Sequence, residues 1–319
     1  MKNTVCVLLF VIVLSACAPA ATPTLTLPPP TATVPPPTAT PLPPTAPPPT
    51  ATPTPPEPRS GFNNLLVYDI PEMYQVKIKT VEYQTLHQPA ETLLMDVYYP
   101  SDWQPNTSLA AVIMANAFPG DGRNGWTAPS WARLIAANGL IGVTYDTKYA
   151  DDLDAVAEHL RAHAADLGVN GDRLGVMGGS SNASLAGNFV YQPNREYVKF
   201  AVLYYGYQYT PDNFMRDQLD GWGKEYNFYS AELPDVKQLR TDLPALMVRC
   251  GRDSDFNLTT IDHFLQLAKE AGAPVTLIQF DEGSHGFDTK EVTSGSLVDQ
   301  ATQIIQQTLE FIKTQAFSE

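Results

Sequence analysis

Two kinds of apolar segment alternate along residues 75–312, and this alternation constrains the fold more than any other feature of the sequence. Apolar runs are typical of strands buried on both faces of a sheet, and they lie at 110–115, 140–145 and 174–177; another strand is predicted at 198–205. Segments with apolar residues at helical spacing separate them. Because such alternation is typical of parallel strands joined by crossover helices, we expect an α/β fold. It is a doubly wound, mostly parallel sheet flanked by helices.

The remaining segments complete this sheet at both ends. Apolar and polar residues alternate at 75–83 and 92–99, which predicts antiparallel edge strands at the N-terminal side. Further strands are predicted at 245–249 and 275–280, and helices at 126–138, 152–167 and 258–271. The last helix is predicted from a single apolar stripe, made of Leu297, Ala301, Ile304, Ile305, Thr308 and Ile312.

The segment 173–187, RLGVMGGSSNASLAG, joins a buried strand to a helix over a Gly-x-Ser turn. Such a turn places its serine, Ser180, on a tight corner at the carboxyl edge of the sheet, with a helix N-terminus behind it. A serine there can attack an acyl carbon, because backbone N–H groups at the helix start can bind the oxyanion that forms. The alternative is a glycine- and serine-rich turn without chemistry.

Two other strands end at the same edge and carry a histidine and an acid. The strand at 275–280 leads into the loop that holds His285, and the strand at 245–249 leads into Cys-Gly-Arg-Asp-Ser-Asp. Because a serine hydroxyl is a poor nucleophile near neutral pH, an imidazole must take its proton and a carboxylate must orient that imidazole. Asp253 is the favoured acid, and Asp255 is the alternative, which would otherwise cap the helix that follows. Each aspartate could also be a solvated turn residue.

Three motifs, GGSSNAS, CGRDSD and GSHGFD, resemble those of the α/β-hydrolase superfamily, and they look closest to its dienelactone-hydrolase-like and carboxylesterase branch. The resemblance covers residues 65–317 and implies a serine hydrolase that cleaves carboxylic esters, or lactones, through an acyl-enzyme without a cofactor or a metal. Its nucleophile would be Ser180, its base His285 and its acid Asp253.

The backbone N–H of Ser181, which follows the nucleophile, is the first expected oxyanion donor. The second is the N–H of Phe118, since the loop 116–120 resembles the His-Gly-x-Pro-Gly loop of the family. The chain departs from the family at two places. Asn182 replaces the third glycine of the elbow, which we expect to be tolerated because asparagine adopts unusual backbone angles, and Asn116 and Ala117 replace the first two residues of the loop.

The N-terminal sixty residues have a different composition. Residues 1–17 contain an apolar run and the lipobox-like sequence Leu-Ser-Ala-Cys, which predicts a lipoprotein signal peptide with lipidation at Cys17. The alternative is an ordinary secretory signal cleaved near Ala18 or Ala20. Residues 18–59 hold 18 of the 29 prolines and predict an extended, disordered stalk. Residues 60–319 form the predicted hydrolase domain, exported and held on the outer face of the cell membrane by its lipid anchor alone.

The formal net charge of −14 and the lack of a basic patch argue against nucleic acid or anionic lipid as a partner. The resemblance to the α/β-hydrolases implies a small-molecule ester substrate. Residues 206–241 are rich in aromatic side chains and predict a lid insertion that lines the substrate site. The same side chains could instead pack an irregular segment onto the sheet.

Two other functions compete with the esterase. A surface binding protein could have kept the fold and lost the reaction. A metal hydrolase is suggested only by His159 and His163, which are four residues apart on one predicted helix face, with no third ligand apparent.

Overall fold

A computed structural model describes residues 62–214 and 233–318 of the chain. The predicted signal peptide with Cys17, the stalk and residues 215–232 of the predicted lid lie outside the described residues.

Eight strands form one sheet in the described part of the chain, in the order β1-β2-β4-β3-β5-β6-β7-β8. Their bounds are β1 Lys77–Gln84, β2 Thr92–Tyr99, β3 Leu109–Met114, β4 Ile141–Tyr145, β5 Val169–Gly179, β6 Val198–Tyr204, β7 Ala245–Cys250 and β8 Val275–Phe280. β1 pairs with β2 and β2 with β4 in antiparallel fashion, whereas all pairings among β3 to β8 are parallel. The predicted fold class is therefore confirmed, including its antiparallel N-terminal edge.

Helices cover both faces of this sheet, as a doubly wound fold requires. They are α1 Ala128–Ala137, α2 Asp152–Ala162, α3 Ala164–Leu167, α4 Ser181–Val190, α5 Asp255–Ala271 and α6 Leu297–Phe317. Alternate residues of one strand enter different cores: in β3, Ile113 packs in the core that contains α2, α4 and α5, while Val112 packs in the core that contains α1 and α6. The continuous apolar runs of the sequence arise because both faces are buried.

Two helix predictions need correction. The helix predicted at 152–167 is interrupted at His163, whose backbone (φ −110°, ψ 24°) leaves the helical range, although its N–H still donates to the carbonyl of His159 at 3.0 Å. The predicted stop at Gly168 is confirmed, because that glycine takes the left-handed conformation (φ 63°). The helix predicted to begin at residue 126 begins at Ala128, since Trp126 has a positive φ of 28°.

None of the helices within residues 62–214 and 233–318 combines the length and the apolar composition that a membrane span needs. The carboxyl ends of the six parallel strands lie at one edge of the sheet, and the loops that leave them carry the predicted site residues.

Candidate active site

Ser180 lies on the sharp corner between β5 and α4, with φ 59° and ψ −134°. A positive φ at a residue with a Cβ is strained, so the surrounding backbone must hold it there. Two glycines make the corner sterically accessible: a Cβ on Gly178 would lie 2.3 Å from the carbonyl oxygen of Asn182, and one on Gly206 would lie 2.3 Å from that of Ser180. The Ser180 N–H donates to the carbonyl of Tyr204 at 3.0 Å, which fastens the corner to the end of β6.

His285, in the loop after β8, lies between Ser180 and Asp253. Its Nε2 is 2.9 Å from the Ser180 Oγ, and its Nδ1 is 2.9 Å from the Asp253 Oδ2. A carboxylate can only accept, so Nδ1 carries the proton and Nε2 is left as the acceptor for the serine hydroxyl. The three side chains thus form a continuous hydrogen-bonded chain in the orientation that serine activation requires.

Asp253 is held as an acceptor by several donors. Its side chain is only 3% exposed, and its Oδ1 accepts the Ser254 N–H at 2.7 Å and the Asn257 Nδ2 at 2.8 Å. Burial acts to raise the pKa of this carboxyl, but the hydrogen bond and charge of His285, with the bonds from Asn257 and Ser254, outweigh it, so the pKa lies below its ordinary value. The carboxylate form is therefore favoured at this position.

Asp255, the alternative acid, is exposed at the first residue of α5. The structure places Asp253, and not Asp255, against His285. The capping role expected for Asp255 was wrong: the N-cap of α5 is Ser254, whose Oγ accepts the Asn257 N–H at 3.2 Å. Because Ser254 caps the helix, Asp253 one residue earlier is free to turn toward the histidine.

The two expected oxyanion donors differ in whether their N–H already donates a hydrogen bond. The Ser181 N–H begins α4, and no hydrogen bond from it occurs within the described residues. The Phe118 N–H donates to the Asn116 Oδ1 over 3.3 Å, and the Asn116 Nδ2 donates back to the Phe118 carbonyl at 2.8 Å. Asn116, at the position of the family's histidine, therefore closes the loop on itself.

Asn182 connects this loop to the elbow. Its Oδ1 accepts the Ala117 N–H at 2.8 Å. Asn182 lies in the first turn of α4 and is not among the described residues with a positive φ, so the expected reason for its tolerance, an unusual backbone angle, was wrong. The close approach that the third glycine usually allows is made instead at Gly178.

Several solved structures with a similar backbone are esterases. They include an esterase from the planctomycete Thermogutta terrifontis with propionate bound (19% identity, TM-score 0.57, covering 78% of this chain and 98% of that chain). They also include an esterase from Pseudomonas putida (15% identity, TM-score 0.60, covering 77% of this chain and 85% of that chain). A third is a bacterial heroin esterase (16% identity, TM-score 0.59, covering 79% of this chain and 88% of that chain). The chain has the α/β-hydrolase fold. No family model matches the sequence, and no curated protein matches it either.

A cavity of about 270 Å³ opens at the carboxyl edge of the sheet, where ligands bind in a fold of this kind. It reaches the elbow through Gly179 and Asn182, on either side of Ser180, while Ser180 and His285 themselves are not among its described lining residues. The ends of β3, β5 and β6 and the loop that contains Asn116 and Phe118 line it, together with Trp126 and Trp131. The walls are mostly apolar and aromatic, which suits the organic part of an ester.

Sequence reasoning missed three residues of this site, which are Asn257, Tyr205 and Asp288. Asn257 holds Asp253, and the Tyr205 ring lies 4.8 Å from the His285 ring. Asp288 is 1% exposed and accepts the Trp131 Nε1–H and the Tyr205 hydroxyl, each at 2.7 Å. For Asp288 a signal existed, because it ends the motif GSHGFD, three residues after His285.

The other predicted features have mixed outcomes. His159 and His163 approach to 4.3 Å between ring centroids, but no group of three potential metal-ligating side chains occurs among the residues that the structure describes. In the part of the predicted lid that is described, Tyr207 and Tyr209 are buried, and the Tyr207 hydroxyl is 3.0 Å from the Ser181 Oγ. Trp222, Tyr226, Phe228 and Tyr229 lie outside the described residues.

Proposed function

We propose that the protein is a serine esterase that cleaves carboxylic esters through an acyl-enzyme. The observation that carries this proposal is the unbroken hydrogen-bonded chain from Ser180 through His285 to Asp253, with Ser180 at a strained corner beside a cavity. Esterases with the same fold support the reaction class.

The first half-reaction makes the acyl-enzyme. The Ser180 Oγ attacks the ester carbonyl carbon while its proton passes to the His285 Nε2, and Asp253 stabilises the imidazolium that forms. The tetrahedral intermediate collapses, the carbon–oxygen bond to the leaving alcohol breaks, and the imidazolium returns the proton to that alcohol. Water then repeats the sequence on the acyl-enzyme and releases the carboxylic acid. A lactone would react in the same way, with its alcohol still attached to the acyl group.

The oxyanion needs donors that stay in place during the reaction. The Ser181 N–H provides one. The Phe118 N–H provides the second if it exchanges its long bond to Asn116 for one to the oxyanion, which is a stronger acceptor than an amide oxygen because it is charged.

Short acyl groups fit the small cavity. The Thermogutta terrifontis esterase has been observed with propionate and with butyrate bound, and phosphoramylated by tabun. We extend to this chain a preference for short-chain carboxylic esters and a reaction with phosphorus-based serine reagents. Assignment to the dienelactone-hydrolase-like or carboxylesterase branch is part of this proposal.

The test is covalent labelling combined with kinetics. A fluorophosphonate should label the protein, and an activated short-chain ester should give a burst of alcohol followed by steady turnover. Ser180→Ala should lose both. Ser181→Ala is the matched control: its hydroxyl faces Tyr207, not His285, so labelling should persist. Turnover that survives in Ser180→Ala rejects the mechanism. No labelling of the wild type, with ligand binding that survives Ser180→Ala, identifies the inactive binding protein instead.

The place of action is a second part of the proposal and rests on the sequence of residues 1–59. We propose that the protein is exported and anchored to the outer face of the cell membrane through lipid on Cys17, with residues 18–59 as a spacer. In a bacterial host, palmitate label should be incorporated into the full-length chain and lost in Cys17→Ser, which should then leave the membrane fraction. Membrane retention of Cys17→Ser without lipid would refute the anchor.

A further inference from the structure

The described lining of the cavity next to the elbow includes acidic residues and no basic ones. The acids Asp121 and Asp288 are the charged residues among its described lining, which contains no lysine or arginine. Asp121 is exposed, whereas Asp288 is buried in the cavity wall. A ligand that enters therefore meets two carboxyl groups and no basic side chain of the described lining.

Asp288 is the unusual member of the pair. A carboxyl that is 1% exposed would ordinarily be paired with a cation, yet its observed partners are the neutral donors Trp131 and Tyr205. No lysine or arginine within residues 62–214 and 233–318 forms an ion pair with it, and His285 is near enough to interact with its charge. Burial raises the pKa of Asp288, and the two hydrogen bonds offset this only in part.

This carboxyl keeps capacity for a ligand. Two carboxylate oxygens offer four acceptor sites, and those of Asp288 are engaged by Trp131, Tyr205 and a backbone N–H, which leaves acceptor capacity. Trp131 and Tyr205, which provide the two side-chain donors, line the same cavity. The carboxyl group is therefore fixed next to the space that a substrate would occupy.

The other walls also favour a cation. Five aromatic residues line the cavity, namely Phe118, Trp126, Trp131, Tyr204 and Tyr205. Aromatic faces attract ammonium groups, most strongly where water is excluded. A buried acid surrounded by aromatic rings is a combination that binds an alkylammonium group. The rings take the place of water around the methyl groups, and the acid balances the positive charge.

We propose that the cavity binds the cationic end of an ester substrate, an alkylammonium group, with Asp288 as the countercharge and the aromatic residues as its walls. This rests on the proposed esterase function and deepens it: the substrate class is esters that carry a positive charge on the acyl or the alcohol side. Asp121 adds to the attraction at the entrance.

Charged and neutral substrates of equal shape provide the test. Two pairs suffice: butyrylcholine with 3,3-dimethylbutyl butyrate for the alcohol side, and the p-nitrophenyl esters of 4-(trimethylammonio)butanoate and 5,5-dimethylhexanoate for the acyl side. In each pair a quaternary nitrogen replaces a quaternary carbon. We expect kcat/KM to favour the charged member by about tenfold or more in one pair, as cation–π and charge attraction in a desolvated site predict. Equal values in both pairs would overturn the proposal.

Variants separate recognition from structure. Asp288→Asn should reduce the ratio of charged to neutral kcat/KM toward one, whereas Asp172→Asn, which removes the same charge from a side chain 91% exposed near the start of β5, should keep it. A purely structural Asp288 would lower both members of a pair equally, and an unchanged ratio would overturn the proposal. If Asp288→Asn does not fold, Asp121→Asn at the exposed entrance should lower the ratio by a smaller factor, and an unchanged ratio there would count against the proposal.

Direct binding makes the result independent of turnover. Tetramethylammonium should bind to the Ser180→Ala protein in calorimetry, and more weakly after Asp288→Asn is added. If no ester of either pair is cleaved, the esterase function fails, and this measurement alone decides the cation site. If the neutral esters are cleaved and tetramethylammonium does not bind, the esterase stands and the cation site is rejected.

Discussion

Replacing Asp253 by asparagine tests the arrangement of the site more sharply than removing the nucleophile. In the protein, the Oδ1 of Asp253 accepts bonds from Ser254 and Asn257, and the Oδ2 accepts the Nδ1–H of His285. An asparagine has one oxygen, and the two donors hold that oxygen at the Oδ1 position. Its amide nitrogen must then face His285.

This forces the wrong tautomer of the imidazole. An NH₂ group against Nδ1 can only donate, so Nδ1 becomes the acceptor and the proton moves to Nε2, which points at Ser180. The histidine can no longer accept the serine proton. For Ser-His-Asp enzymes this substitution lowers kcat by about 10⁴, or ~5.4 kcal/mol at 1.36 kcal/mol per tenfold change.

Asp255→Asn is the matched control, since it makes the same chemical change two residues away. Asp255 is exposed in the first turn of α5, where a negative charge stabilises a helix by ~0.3–1 kcal/mol. We expect its kcat to stay within about twofold of wild type, with a small loss in the free energy of unfolding. Both variants should be assayed with an activated short-chain ester and checked by circular dichroism. Asp253→Asn with more than a tenth of the wild-type kcat, or a comparable loss in Asp255→Asn, would refute the assignment.

Three further predictions follow from contacts near the site. Asn182→Ala should reduce the free energy of unfolding, measured by urea denaturation, by about 1 kcal/mol, because the Ala117 N–H loses its acceptor. It should also lower kcat with every ester, and an unchanged kcat would contradict a role for Asn182 in holding the loop. Cys250 is fully buried and burial raises the pKa of its thiol, so peptide mapping should find it unmodified by a thiol reagent in the native protein and modified after unfolding. Because the pKa of Asp253 is lowered in the folded state, its carboxylate stabilises the fold above the unfolded-state pKa, and this contribution is lost as the pH falls through the folded-state pKa. The free energy of unfolding of Asp253→Asn should therefore fall less steeply in acid than that of wild type. Parallel curves of unfolding free energy against pH would contradict this.

The fold could be predicted from the sequence because its signals are repeated and local. The central parallel strands β3, β4 and the end of β5 are mostly apolar and buried, and the helices show apolar stripes or stop signals such as Gly168. The rule that carboxyl ends of parallel strands share an edge then brings Ser180 and His285 together without any knowledge of distances. Boundaries were less predictable, since the break at His163 depends on backbone angles to which no residue type is specific.

The finer contacts could not be predicted, because two neighbouring side chains could make the same hydrogen bond and only the three-dimensional packing decides which one does. Either Asp253 or Asp255 could have faced the histidine, and the outcome follows from Ser254, which caps α5 and removes that role from Asp255. Gly206 is necessary for the corner at Ser180, yet it lies 26 residues further along the chain and no local pattern connects the two. The same holds for Asp288, whose partners come from α1 and the end of β6.

The two departures from the family pattern are parts of one feature of the molecule. A glycine at position 182 would leave the Ala117 N–H without its acceptor, and a histidine at position 116 would lack the amide that closes the loop on Phe118. In this chain the loop is therefore held by two asparagine side chains rather than shaped by glycine. Because a hydrogen-bonded loop resists movement more than a glycine-rich one, its N–H groups are positioned before substrate arrives, and less of the binding energy is used to order them. The bond between Asn116 and the Phe118 N–H limits this gain, since the oxyanion must displace it. Asn116→Ala accordingly removes both the closure of the loop and the competitor for Phe118, and the sign of its effect on kcat shows which of the two governs the reaction.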